Sequence, residues 1–160
     1  MRVFLLSLLA ALPAAASAPY STPLDVAQCG ALSGAAVAAL GPDWSVLAAF
    51  VERCAVPGPD RRPALTVDIV RLDRAYAVDF FATHPDQTVP RPILRLPSGR
   101  EVGTLPEQFP VEAPGMLKVR FVRWQRGLPR EIRLYQAGES ALAPHALPSL
   151  RWSPRAGGYR

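Results

Sequence analysis

This 160-residue chain has two cysteines, two histidines, one lysine and, past its first twelve residues, no long apolar run. Each shortage narrows the function. His84 and His145 each adjoin a proline in expected loops, and no third or fourth ligand stands at metal-binding spacing, so a zinc centre is not predicted. There is no G-x-S-x-G elbow, glycine-rich phosphate loop, C-x-x-C or H-E-x-x-H. His84 and Asp86 offer a His-Asp unit, but no serine stands in a nucleophile's context, and surface-loop histidines are the simpler expectation. Glu101, Glu107 and Glu112 lie near turns, as ordinary surface carboxylates do. No residue nominates itself for catalysis and no cofactor is expected. Past residue 18, the apolar stretch 31–51 is broken by Gly41-Pro42-Asp43, too early to span a bilayer.

The one long apolar run sits at the start. Arg2, then Val3–Leu12, Pro13 and the small residues Ala14–Ala18 have the layout of a secretory signal peptide. Ala16-Ser17-Ala18 fits an A-x-A site but leaves Pro19 first; Ala14-Ala15-Ala16, with Ser17 first, is the alternative. Residues 1–18 are therefore expected to be removed, and the chain to be secreted or periplasmic. In an oxidising compartment Cys29 and Cys54, 25 residues apart, are expected to form a disulfide. Two rival roles fit poorly. Cys29 follows Val26-Ala27-Gln28, where lipid attachment wants a small residue, and neither cysteine has a basic or histidine-rich setting to make a reactive thiolate.

The remaining pattern predicts an α+β domain over 19–138. Alanine-rich Leu24–Leu40, weakened by Gly30 and Gly34, reads as a helix that ends at Gly41. Trp44, Leu47, Ala48, Val51, Cys54 and Ala55 then recur at helical spacing, which makes a second helix with Cys54 on its apolar face. The expected bridge thus ties a helical pair, and Trp44 is a core anchor. Residues 57–63, rich in proline and glycine, form a surface loop. Over 65–83 the β-branched and aromatic residues favour a hairpin, although Leu65, Ile69, Leu72, Tyr76 and Phe80 also match a helix. Ile93–Leu96, a turn at Pro97-Ser98-Gly99 and Val102–Leu105 make another hairpin. An antiparallel sheet of four to six strands is expected, followed by a flexible basic tail over 139–160.

Charge is the feature with a functional reading. Positions 19–90 carry a net −3, while 91–136 carry +5. All of that net charge lies in 116–136, where strand-like alternation brackets a break at Gln125–Arg130 and predicts a hairpin whose loop has several residues. The apolar phase slips by one at Phe121-Val122, as at a bulge or a strand covered on both sides. Lys118, Arg120, Arg123, Arg126, Arg130 and Arg133, with Trp124 and Tyr135 as stacking groups, form the candidate binding surface. A solvated sheet face whose charges discourage edge pairing is the structural account of the same residues. The expectation is an exported non-catalytic binding or structural domain that contacts an anionic envelope polymer, a lipid head group or an acidic protein; nucleic acid is not expected. The alternatives are an assembly subunit joined through a sheet edge and a small hydrolase with an unrecognised site.

Overall fold

The computed structural model describes residues 19–106, 117–136 and 145–160. The expected signal segment, Glu107, Glu112 and the stretch 139–144 lie outside the described residues. Two antiparallel five-stranded sheets form the body. The first, sheet A, is ordered β1 (Thr22–Pro23), β7 (Leu117–Gln125), β8 (Leu128–Gln136), β9 (His145–Ser153), β10 (Gly158–Tyr159). Sheet B is ordered β2 (Cys29–Ala31), β3 (Val51–Pro57), β4 (Pro63–Val70), β5 (Ile93–Arg95), β6 (Glu101–Thr104). The fold is mixed α+β as expected, with more strand than expected.

Alternation along the strands builds the core. Cys54, Val56, Leu65, Val67, Ile69 and Leu94 of sheet B pack against Val119, Phe121, Ile132, Leu134 and Tyr159 of sheet A. A fully buried apolar side chain of this size contributes about 1.5–3 kcal/mol. The opposite residues of sheet B, Val51, Val70 and Ile93, meet a second cluster formed by Val37, Trp44, Leu47 and Phe80. These come from three short helices and their flanks, α1 (Gly34–Ala38), α2 (Pro42–Ser45) and α3 (Arg74–Thr83). Beyond the helices, the same outer face carries fully buried Asp68, which accepts hydrogen bonds from Arg53 Nη2 at 2.8 Å and Arg95 Nε at 3.0 Å. Sheet B is thus covered on its inner side and on part of its outer side, and among the described residues nothing covers the outer face of sheet A.

The expected helical pair is corrected. Leu24–Leu40 contains a single 3-10 turn (Val26–Gln28), β2 and the five-residue α1, capped by Ser33, whose hydroxyl accepts from Ala36 N–H. The expected second helix ends after Ser45, and residues 51–57 are a strand that pairs with β4. The disulfide forms as expected but joins strands: Cys29 stands directly opposite Cys54 between β2 and β3. Val51 and Cys54, read as one helical face, point to opposite sides of sheet B. Within 65–83 the first arm is β4, and the second is α3, nucleated by the Asp73 carboxylate accepting from Tyr76 N–H. Helical spacing brings Tyr76 and Phe80 to one side, where the Tyr76 ring lies tilted 4.0 Å from that of Phe50. The 93–105 hairpin forms as expected, with Gly99 N–H donating to Leu96 O at its turn. Residues 145–160, expected to be a flexible tail, supply β9 and β10 instead. Their spaced apolar residues Leu147, Leu150 and Trp152 pack against the shared core.

The sheets come together at both sides. At one, the chain runs from β1 through the 3-10 turn into β2. At the other, β10 lies so close to β6 that a Cβ on Gly158 would sit 2.7 Å from Val102 O. Next to it Gly103, at φ +147°, leaves room for Tyr159. The Tyr159 hydroxyl crosses the core end to donate to Pro129 O at 2.7 Å, and burial raises its pKa far above the usual tyrosine value. Two outcomes follow for stability, both measured by urea unfolding. Replacing Cys29 and Cys54 together by serine removes a 25-residue cross-link and is expected to cost about 3 kcal/mol. Gly158→Ala forces β10 from β6 and is expected to cost about 1–3 kcal/mol; an unchanged midpoint would show that this contact does not hold the sheets together.

Candidate functional site

The β7–β8 hairpin is tighter than its sequence suggests. Only Arg126 and Gly127 turn the chain, at φ +52° and +75°, where a loop of several residues is expected. Positive φ at both positions is the signature of the two-residue turn whose twist matches that of paired strands. The register sets Lys118 opposite Tyr135, Arg120 opposite Arg133 and Val122 opposite Glu131, all on the outer face of sheet A. The slip in the apolar pattern is resolved at Arg123, whose backbone adopts φ +56°. This one left-handed residue turns Trp124 inward and Arg123 outward. Trp124 packs on the core, donates its indole N–H to Phe121 O at 3.1 Å and meets Tyr20 edge-on at 5.5 Å.

The eight expected site residues therefore divide. Lys118, Arg120, Arg123, Arg133 and Tyr135 share the outer face, whereas Trp124 belongs to the core edge, Arg126 to the turn and Arg130 to the inner side. Arg130 Nε donates to Gln125 Oε1, and its charge reaches Tyr159. Two contributors are not foreseeable from the local pattern. Arg151 of β9, in the supposed tail, stands opposite Glu131. Tyr20 arrives with the segment leading into β1 and is anchored by donating to Gly58 O at 3.1 Å. Only strand pairing over long sequence separations reveals either.

Glu131 lies at the middle of this face and is 7% exposed. Arg133 Nε donates to its Oε1 at 3.0 Å, and Arg123 Nε lies 2.8 Å from Oε2, an ion pair outside hydrogen-bond geometry. The bond from Arg133 is the main reason that the Glu131 pKa is held below the usual carboxylate range; burial opposes it, and the charges of Arg133, Arg123 and Arg151 assist. Like charges directly opposite one another destabilise a sheet, so the Arg120–Arg133 pairing depends on this carboxylate. Lys118 and Arg120 have no acidic partner among the described residues.

Two neighbouring recesses open on this face. One, of about 500 Å³, is lined by residues 19–21, Arg120, Val122, Arg123, Arg133 and Tyr135. The other, of about 300 Å³, is lined by Glu131, Arg133, Leu134, Tyr135, Leu147 and Ser149. Arg133 and Tyr135 belong to both. A larger hollow of about 720 Å³ lies at the β6–β10 contact, among Arg91, Glu101, Leu105, Tyr159 and Arg160.

No known protein family, curated protein or solved structure matches this chain. Its chemistry is therefore read from the side chains alone. His84 caps the end of α3, stacked on Phe80 at 4.7 Å with Nδ1 2.9 Å from the Thr83 hydroxyl. Among the described residues no three metal-ligating side chains come together, and no helix is long and apolar enough to cross a membrane.

Because folding lowers the Glu131 pKa, the stability it contributes is present above its unfolded value of about 4.3 and is lost as pH falls through the lower folded value. Both arginine partners are substantially exposed, so screening holds the contribution to about 1 kcal/mol. Denaturation titrations of wild type and Glu131→Gln should differ by that amount near neutrality and converge only once the pH has fallen through the lowered folded value. A gap that widens in acid would rule out this role for the carboxylate.

Proposed function

We propose that the chain is an exported, non-catalytic binding domain whose outer sheet A face contacts an anionic component of the cell envelope. The observation that carries this reading is the gathering of Lys118, Arg120, Arg123, Arg133 and Arg151 around a single carboxylate, a net of four positive charges on one sheet face. Sheet B's outer face spends its charges differently: Arg53 and Arg95 are consumed by buried Asp68. Lys118 and Arg120 have no such partner among the described residues, which is what a surface waiting for an external anion requires. A field of this kind raises the local concentration and encounter rate of anions, at an affinity that salt reduces.

Pairing through a sheet edge is the weaker alternative at this hairpin. The middle of the outer edge of β7 is already occupied by β1, with Thr22 opposite Phe121, Pro23 opposite Arg120 and Leu24 N–H donating to Val119 O. Export itself rests on the residue pattern of 1–18 and is supported by the disulfide.

The test uses a soluble polyanion, heparin, as probe. Binding is expected at low salt, and it should weaken steeply as sodium chloride rises from about 50 to 300 mM, where the Debye length falls below about 10 Å. Lys118→Glu with Arg120→Glu should reduce affinity by at least about tenfold with an unfolding midpoint no lower than that of wild type, since neither side chain is paired to a described carboxylate and the Arg120–Arg133 repulsion is removed. Retention of full affinity in that variant would defeat the proposal.

A further inference from the structure

We infer that the two recesses hold successive units of an acidic polysaccharide, a polymer of hydroxyl-bearing rings with carboxylate groups. The inference rests on the anion-binding reading above and narrows its ligand. Three observations point to this chemistry and not to a bare anion.

The first is the shared wall. Arg133 and Tyr135 line both recesses, so a ligand crossing from β7 toward β9 meets a cationic and aromatic rib between two hollows. A repeating polymer fits such a pair, with one ring on each side of the rib. A single head group fills only one. The larger recess, about 500 Å³, lies within the range of small-ligand clefts, roughly 300–1,000 Å³.

The second is the composition of the walls. Tyr20 and Tyr135 present apolar ring surface, against which the C–H faces of a sugar ring pack, while Arg120 and Arg123 stand beside them. Arg123 and Arg133 both reach Glu131 through Nε. Arg133 also bonds Tyr135, whereas the exposed Arg123 keeps its terminal Nη groups for the paired contact that planar carboxylates accept. Arg120 lines the larger recess beside it.

The third is the polar wall of the smaller recess. Glu131 and Ser149 both line it. A carboxylate and a hydroxyl are matched by hydroxyl-bearing rings, whereas a phosphate diester or a bare carboxylate is repelled at Glu131. One ligand that offers both carboxylates to the arginines and hydroxyls to this wall is an acidic sugar chain.

Calorimetry with the purified disulfide-bonded protein tests this. The probes are galacturonic acid pentamer, galacturonic acid monomer, neutral maltopentaose, and vesicles containing one-third phosphatidylglycerol. The pentamer is expected to bind at least about tenfold more tightly than the monomer, because it engages both recesses. Maltopentaose should not bind measurably. Tyr135→Ala should weaken the pentamer by roughly fivefold to tenfold and Tyr135→Phe by less, since the ring surface carries the packing. The unfolding midpoint reports whether either variant disturbs the sheet. If pentamer and monomer bind alike, or Tyr135→Ala changes nothing while Arg120→Glu abolishes binding, charge alone operates and the polysaccharide inference fails, though the anion-binding reading stands. Binding to the vesicles but not to the pentamer has the same consequence. If neither pentamer, vesicles nor heparin binds, both fall.

Discussion

A single buried carboxylate allows five cations to share one sheet face. Arg120 and Arg133 oppose each other across β7 and β8, an arrangement that repulsion would disfavour in isolation. Glu131 lies one step along, accepts from Arg133, pairs with Arg123 and feels Arg151. It fixes two of the guanidinium groups by their Nε atoms and keeps the strands from being driven apart by charge. Placing it there requires the left-handed turn at Arg123, since ordinary alternation would send that side chain toward the core.

The same turn serves packing. With Arg123 outward, Trp124 closes the end of the apolar layer and receives Tyr20, whose hydroxyl is tied to the β3–β4 loop. The wall of the larger recess is therefore fixed from three directions: the core, the segment before β1 and the loop of the other sheet. Sheet B contributes rigidity. It is apolar on its inner side, covered by helices on part of its outer side and pinned elsewhere by Asp68 between two arginines. Buried ion pairs of this kind do more for geometry than for net stability.

Strands with clean alternation were legible from the residues. Leu117–Phe121, Ile132–Leu134 and the 93–105 hairpin carry period-two patterns flanked by turn residues, and each forms. Segments whose local preferences compete with distant partners were not. Val51, Cys54 and Ala55 fall at helical spacing by coincidence, yet pairing with β4 on one side and β2 on the other decides the state of Val51–Pro57. In 74–83 the balance tips the other way, because Asp73 caps the first turn and Phe80 finds the second apolar cluster. The tail misled for a different reason: alanine, proline, serine and glycine make up twelve of the 22 residues of 139–160, and three apolar side chains spaced along β9 outweigh them only because an open sheet edge and a core await them.

The residues alone determined the pairing of the two cysteines, the hairpin and its positive charge, because a lone pair of sulfurs has one partner each and alternation is a local property. Tertiary structure decided that the bridge joins strands, that Trp124 faces inward, and that Tyr20 and Arg151 join the hairpin's outer face. Those outcomes depend on which strands lie side by side. That is set by burial summed over the whole chain, which no short window contains.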